Sequence, residues 1–493
     1  MKKNNFPGLF RGQVIFAKAA KKLAAPPGEK IHLQGLIGSA KTIWVANLFE
    51  KVQQNVVLLL NDREEAAYFY DDLNNLGLDK NTLFYPSSYK RSVQFGQTEQ
   101  ENIVQRAEVL NKARQHDEPY VIVTYPEATI ETVISESELE QNTLQVTKGD
   151  NISIDFLNEF LFEYGFERVD FVYEPGQFSV RGSIVDVFSF SNEDPYRLDF
   201  FGDEIDSIRS FNIDNQISKD AFDKITIVPN IQHEKVSGQR VSLFEFLSND
   251  TRCFGNNLNQ FFDQVAETHR QTILNRPEEN LVEQIVTGEV LKKQLQKFTV
   301  CDFGNDLAFE PEQTFNASNS KQPVFNKNFD LLGKNLNEHR NNGYEIFILS
   351  NQEKQIERLQ AIFEDTDVNV KFTPLQLTLH EGFIDHDLKI CCYTDHQIFE
   401  RYHRFKLKTR KAQREAISLK ELNKLHPGDY VVHVDHGIGK FAGLVKTEEG
   451  GKTQEAIRLV YKNNDSLLVN IHSLHRISKY KGKDGTEPSL NKL

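Results

Sequence analysis

IHLQGLIGSAKTIWVANLFEKV, residues 31–52, decides how the first part of the chain folds. IHLQGLIG reads as a strand running into a loop. AKTIWVANLFEKV places Trp44, Val45, Leu48 and Phe49 at helical spacing. At the junction lies GLIGSAKT, residues 35–42, one residue away from the phosphate-loop pattern G-x-x-x-x-G-K-[ST]. Gly35, Lys41 and Thr42 are in place, Gly38 adds a glycine inside the loop, and Ala40 stands where the second glycine should be. Such a loop works because successive backbone N–H groups wrap the phosphates. A Cβ at position 40 crowds that space, so the expectation is a retained strand–loop–helix with a weakened nucleotide site. An ATPase also needs an acid for magnesium and a group that activates water. VVLLLND ends at Asp62 with no second acid following, ICCYTDHQ ends at Asp395 in what reads as another domain, and HDEP (116–119) precedes its strand.

Working outward, NVVLLLND is a continuous apolar run, the pattern of a strand buried on both faces. DREEAAYFYDDLNNLG reads as a helix with an acidic first turn and a stop at Gly77, and a second helix is expected over about 97–115. YVIVTYP (120–126) is another buried strand. Strands alternating with helices predict a parallel sheet with crossover helices. Near residue 130 the pattern changes. FSVRGSIVDVFSF (178–190) and YRLDFFGDEIDSIRSF (196–211) read as antiparallel partners joined by SNEDP, with FLNEFLFEYGF as the helix of a small α+β module. Residues 312–327 read as a polar loop and 328–405 as a small α/β domain. HRFKLKTRKAQREAISLK is a basic linker helix, and from 427 onward short strands suggest a small SH3-like barrel.

A chain of 493 residues is too long for one hydrophobic core. Apolar content of 39% and charged content of 26% predict globular domains. No apolar run of about 18 residues is present, so no membrane helix is expected, and the N-terminus lacks the apolar core of a signal peptide. Cys253, Cys301, Cys391 and Cys392 form no CxxC spacing, which predicts a reduced, cytoplasmic protein. The net charge of −13 is unevenly spread: residues 401–493 hold 19 Lys/Arg against 10 Asp/Glu. A basic end on an acidic body predicts separate partners for the two.

The second informative stretch is YGFERVDFVYEPGQFSVRGSIVDVF. Arg168 and Arg181 flank a segment rich in aromatics and glycine. Strand alternation puts Arg181 on the face opposite Val180, with Arg197, Asp199 and Phe201 placed alike on the next strand. Arginine beside an aromatic suits a protein interface; ordinary surface ion pairing, for example of Arg197 with Asp199 or Glu204, is the alternative. His433 and His436 have an H-x-x-H look, but no further ligands stand at usable spacing. No G-x-S-x-G, HExxH or cysteine-nucleophile pattern occurs, so no catalytic residue and no metal site is assigned.

Taken together, two long stretches resemble the bacterial transcription-repair coupling factor (Mfd) family. GFERVDFVYEPGQFSVRGSIVDVF with PYRLDFFGDEIDSIRSF resembles the module that this family shares with the excision-repair protein UvrB, through which both bind UvrA. GDYVVHVDHGIGKFAGL through EAIRLVYKNNDSLLVNIHSLHRISKYKG resembles the family's RNA-polymerase-interacting domain, related to CarD-type regulators. The resemblance implies a multi-domain α/β architecture. Residues 1–123 and 214–312 would form a UvrB-like, RecA-type domain, with 124–213 as the inserted UvrA-binding module. Residues 328–405 would be a small α/β domain, 406–421 a basic linker helix, and 422–493 the polymerase-interacting domain. It further implies that the 35–42 loop has lost nucleotide binding. ATP and magnesium would belong to a DNA translocase motor expected beyond SLNKL, which would also make most of the contact with double-stranded DNA. Arg168, Arg181, Arg197 and Phe201 would face UvrA, with Ser179 standing where UvrB has another arginine. Leu444, Lys446, Thr447, Glu448 and Ile457 would face the polymerase β subunit. The remaining alternatives are a UvrB-like ATP-binding repair protein using residues 35–42, and a CarD-like transcription regulator.

Overall fold

The computed structural model describes residues 6–89, 100–115, 118–192, 194–213, 216–231, 236, 238–275, 284–365, 370–402, 425–433, 435–449, 452–470, 477–479 and 490–492. The predicted parallel sheet is present, with seven strands. Its order is Gln313–Asn316, Lys30–Gln34, Thr299–Asp302, Arg252–Gly255, Val56–Leu59, Val121–Thr124, Thr82–Phe84, every neighbouring pair parallel. In the four central strands every residue is buried, which is why NVVLLLND and YVIVTYP lack alternation. The helix after the first strand is Ala40–Val52, with Ile43, Trp44, Val45, Leu48 and Phe49 all buried. It stops at Gln53, which adopts a left-handed conformation. Asp62 starts the next helix, Arg63–Leu73, by accepting a 2.8 Å bond from the Glu65 N–H. The predicted 97–115 helix runs Gln100–Gln115.

The inserted module extends over 141–236, not 124–213. Its first boundary moves because Val121–Thr124 belongs to the parallel sheet and Val133–Ile134 pairs with Arg240–Val241. The second moves because Lys224–Ile227 pairs back onto Leu144–Thr147. Inside it, each stretch expected to form one strand is itself a hairpin. Gln177–Arg181 turns at Gly182 into Ile184–Val187, and Tyr196–Phe201 turns at Gly202 into Glu204–Phe211. Both glycines have positive φ, the backbone region that a tight turn uses and side chains avoid. Gly182 and Ser183 are therefore turn residues and do not extend a strand face. The sheet has six strands, and the helix Ile154–Glu163 buries Leu157 and Leu161.

Residues 312–327 are not a free loop. Gln313–Asn316 is the edge strand of the parallel sheet, and Asn319–Lys321 opens the sheet of the small α/β domain. That second sheet has the order Asn319–Lys321, Phe383–Asp385, Ile390–Thr394, Glu345–Leu349, Thr373–Leu375. The helices Phe329–Asn341 and Glu353–Asp365 accompany it, over a core that includes Leu332, Leu336, Ile346, Ile348, Leu359 and Tyr393. The C-terminal part is one five-stranded antiparallel sheet, ordered Ser466–Asn470, Lys452–Val460, Gly437–Glu449, Tyr430–His433, Ile477–Lys479. The basic linker, 406–421, lies outside the described residues. No helix among the described residues is long and apolar enough to cross a membrane.

All four cysteines are free and buried. Burial pushes the Cys253 and Cys391 thiols up to about 12, so neither supplies thiolate at neutral pH. The native chain at pH 8 is expected to resist a thiol reagent, and the denatured chain to take up four equivalents. Fast labelling of the native protein would contradict this packing.

Candidate functional site

The loop at 35–42 joins the strand Lys30–Gln34 to the helix Ala40–Val52, and its polar groups bond within the protein. Ser39 N–H donates to the Glu381 carbonyl at 3.3 Å, and the Glu381 N–H donates back to Ser39 Oγ at 3.0 Å. Ser39 Oγ donates to Asp72 at 2.6 Å, and the other oxygen of Asp72 accepts the His380 N–H at 2.7 Å. Thr42, the residue that a working loop would offer to magnesium, is buried, with its hydroxyl 3.5 Å from Asp72. Lys41 donates to Asn256 at 2.9 Å. Burial lowers its pKa, and Glu65, Glu381 and Asp302 oppose that shift. The Ala40 methyl is buried at the start of the helix. Among the described residues, the adjoining cleft is lined by Asp62, Glu64, Glu65, Asp72 and Glu381 against one lysine, Lys41.

Asp302, the acid at the end of a central strand, stands in no motif that would single it out. It accepts the N–H groups of Asn257, Leu258 and Gly304 at 3.1, 3.0 and 2.8 Å. Burial raises its pKa against those three bonds. Asp302 thus caps the helix Leu258–Asn275. Asp62 is likewise a helix cap, and Asp395 accepts from Ser350 and Arg401.

On the six-stranded sheet, register aligns Ser179, Asp186, Arg197 and Arg209 in one row across four strands. Asp186 is fully buried and holds two arginines. Arg197 grips it through both oxygens at 2.7 and 2.9 Å, and Arg181 pairs with it from the neighbouring strand. Asp186 raises the Arg197 pKa. Arg197 also bonds the Gln216 carbonyl and covers the Phe211 ring. It is therefore turned inward, and its partner is Asp186, not Asp199 or Glu204; Asp199 pairs with Arg209. Arg181 keeps about a third of its side chain exposed (34%), donates to the Asp170 carbonyl and lies over Phe171. Arg168 is exposed on the edge strand Glu167–Arg168. Phe201 is 83% exposed beside the Gly202 turn. Ser179 is buried and donates to the Asp170 carbonyl.

In the C-terminal sheet Leu444 is 45% exposed, next to a register shift between Phe441 and Leu444. Ile457, expected at the surface, is instead fully buried in the core with Val431, Phe441, Leu459 and Tyr461. Lys446, Thr447 and Glu448 lie on the strand Gly437–Glu449, opposite Glu455, Gln454 and Thr453. The His433 and His436 rings are 4.9 Å apart. No cluster of metal-ligating side chains occurs among the described residues.

Comparison with known proteins matches these two sheets separately. A family model described as the UvrB interaction domain matches residues 144–233, and one described as the CarD-like/TRCF RID domain matches residues 425–481. A transcription-repair-coupling factor of Bacillus subtilis (strain 168) is 25% identical over 94% of this chain and 46% of that protein. One from Staphylococcus aureus (strain bovine RF122 / ET3-1) is 25% identical over 93% and 46%. Over nearly its whole length the chain is similar to transcription-repair-coupling factors. It spans just under half the length of the curated relatives it matches. The matched range 144–233 falls within the segment 141–236 and agrees with its later boundaries. Asp186 was missed as a site residue because a lone aspartate in SIVDVF looks like a surface polar position until cross-strand register places it between two arginines.

Proposed function

We propose that this chain is the recruitment platform of a cytoplasmic transcription-coupled excision-repair factor. Its C-terminal sheet, read as a small SH3-like barrel, holds the β subunit of a stalled RNA polymerase. The module 141–236 offers UvrA a surface built from Arg168, Arg181 and Phe201, with Arg197 as the buried brace behind it. The observation that carries this reading is the presence, on one chain, of two sheets matched by the UvrB-interaction and CarD-like models. ATP, magnesium and most of the contact with duplex DNA belong to a motor outside these residues.

For the 35–42 loop, in its RecA-type domain, the reading is that it holds no nucleotide. Five carboxylates against one lysine line the cleft, an unfavourable field for a triphosphate. The loop N–H of Ser39 is already taken by Glu381.

Arg168→Glu is expected to weaken UvrA capture by about tenfold or more, because reversing an interface charge replaces attraction with repulsion. Its melting temperature should match the parent, since Arg168 is exposed. UvrA binding unchanged by the reversal, or absent from the parent chain, would overturn the module's assignment. Polymerase binding with no affinity for UvrA would favour a CarD-like regulator instead.

A further inference from the structure

The two glycines of the 35–42 loop, Gly35 from the phosphate-loop pattern and Gly38 at one of its free positions, are needed for something other than phosphate. A Cβ on Gly35 would sit 2.0 Å from the Ala317 carbonyl, at the crossover between the parallel sheet and the small α/β domain. A Cβ on Gly38 would meet the Glu381 Cβ at 3.0 Å, and both glycines have positive φ. Gly38 therefore permits close approach to a segment of the second domain, and Gly35 to the crossover that leads into it. Ser39 and Asp72 then form four hydrogen bonds around that approach: Ser39 with the backbone of Glu381 in both directions, Ser39 with Asp72, and Asp72 with the His380 N–H. The Tyr68 ring stacks on the His380 ring at 3.5 Å, a contact favoured by its low interplanar angle of 13°. Apolar contacts extend the seam. Phe6 packs edge-on against Phe347, Phe10 against Phe383, and Gln13 donates to the buried Asp385 at 2.6 Å.

We propose that the loop 35–42 is an intramolecular docking site whose ligand is the backbone of residues 380–382, and that it locks the small α/β domain onto the parallel-sheet domain. The proposal rests on the nucleotide-free reading above, because the Ser39 N–H serves one acceptor and Glu381 holds it. It also gives the small domain a role. Its His380 and Glu381 form one wall of the cleft that a phosphate would otherwise enter, and Glu381 adds a carboxylate there.

Hydrogen exchange on the full chain tests this. Ser39→Ala removes the acceptor of the Glu381 N–H, and Gly38→Ala drives a wedge toward Glu381. In both, exchange at His380 and Glu381 should rise by about tenfold or more, while the strand Val56–Leu59 stays protected. His380→Ala, which removes only the stacked ring, keeps the test open should either loop variant fail to fold; it should show a smaller rise at the same amides. Unchanged exchange at 380–381 in all three would overturn the proposal. So would a rise shared equally by Val56–Leu59, which would mean that these residues hold the first domain's own core. ATP added to the wild-type chain reads the other claim. Protection at 35–42 would sink the nucleotide-free reading, and that result comes from a different sample than the variant comparison.

Discussion

Asp186→Ala is expected to destabilise the module 141–236 by about 3–5 kcal/mol, because removing one partner of a buried ion pair strands the other. The fully buried carboxylate receives Arg197 through two bonds and Arg181 through one. Alanine would leave the Arg197 guanidinium, itself only 15% exposed, facing a cavity with one carbonyl partner and an aromatic ring. Arg181 would keep Phe171 and the Asp170 carbonyl but lose the anion that orients it. Asp186→Asn should cost less, since it preserves the shape and one acceptor. Two measurements separate stability from recognition. Urea unfolding followed by a probe in the module should shift for Asp186→Ala and stay put for Arg168→Glu. UvrA capture, measured where both variants are folded, should fall for Arg168→Glu. A stable Asp186→Ala variant would show that the row of charges is decoration on a sheet held by Phe178, Val185, Leu198 and Ile208 alone.

The sequence made the apolar scaffold legible because burial on both faces leaves continuous runs. Val56–Leu59 and Val121–Thr124 could be placed as central parallel strands without further help. The same logic placed the helix Ala40–Val52. What it could not give was the partner of each polar residue, since that depends on register and on contacts between residues far apart in the chain. Arg197 reads like Arg181 along its strand, yet one faces a buried carboxylate squarely and the other reaches it from the rim. Ile457 shares the inward face of its strand with Leu459, and the register shift between Phe441 and Leu444 lies on the partner strand, where Leu444 is exposed. The loop at 35–42 shows the limit most clearly. Ala40 marks a departure from the phosphate-loop pattern, but the backbone that the loop bonds, at Glu381, stands more than three hundred residues away and carries no motif.

Arg106→Leu is expected to be as damaging, and its cause lies in a helix that looked merely polar. QENIVQRAEVLNKARQ suggests a solvated surface, yet Arg106 is almost wholly buried. It donates to the carbonyls of Pro86 and Ala128 at 2.9 and 3.1 Å, lies over the Tyr85 ring, and faces Glu131 at 3.5 Å. Glu131 in turn accepts the Ser87 hydroxyl at 2.6 Å and the Ser88 N–H at 2.9 Å. One ion pair thus ties the helix to the chain after Thr82–Phe84 and to the segment leading into the inserted module. Losing the arginine leaves a buried carboxylate with two neutral donors, no ion pair, and Arg240 as its nearby cation, a loss of about 3–5 kcal/mol. The double variant Arg106→Leu/Glu131→Leu should recover part of that, because it removes the stranded charge, although Ser87 and Ser88 then lose their acceptor at about 1–3 kcal/mol each. Chemical denaturation of the single and double variants reads this directly. If the double variant is no more stable than Arg106→Leu, the arginine's contribution is its bonds to Pro86 and Ala128 and its packing on Tyr85, and the charge pair contributes nothing beyond them.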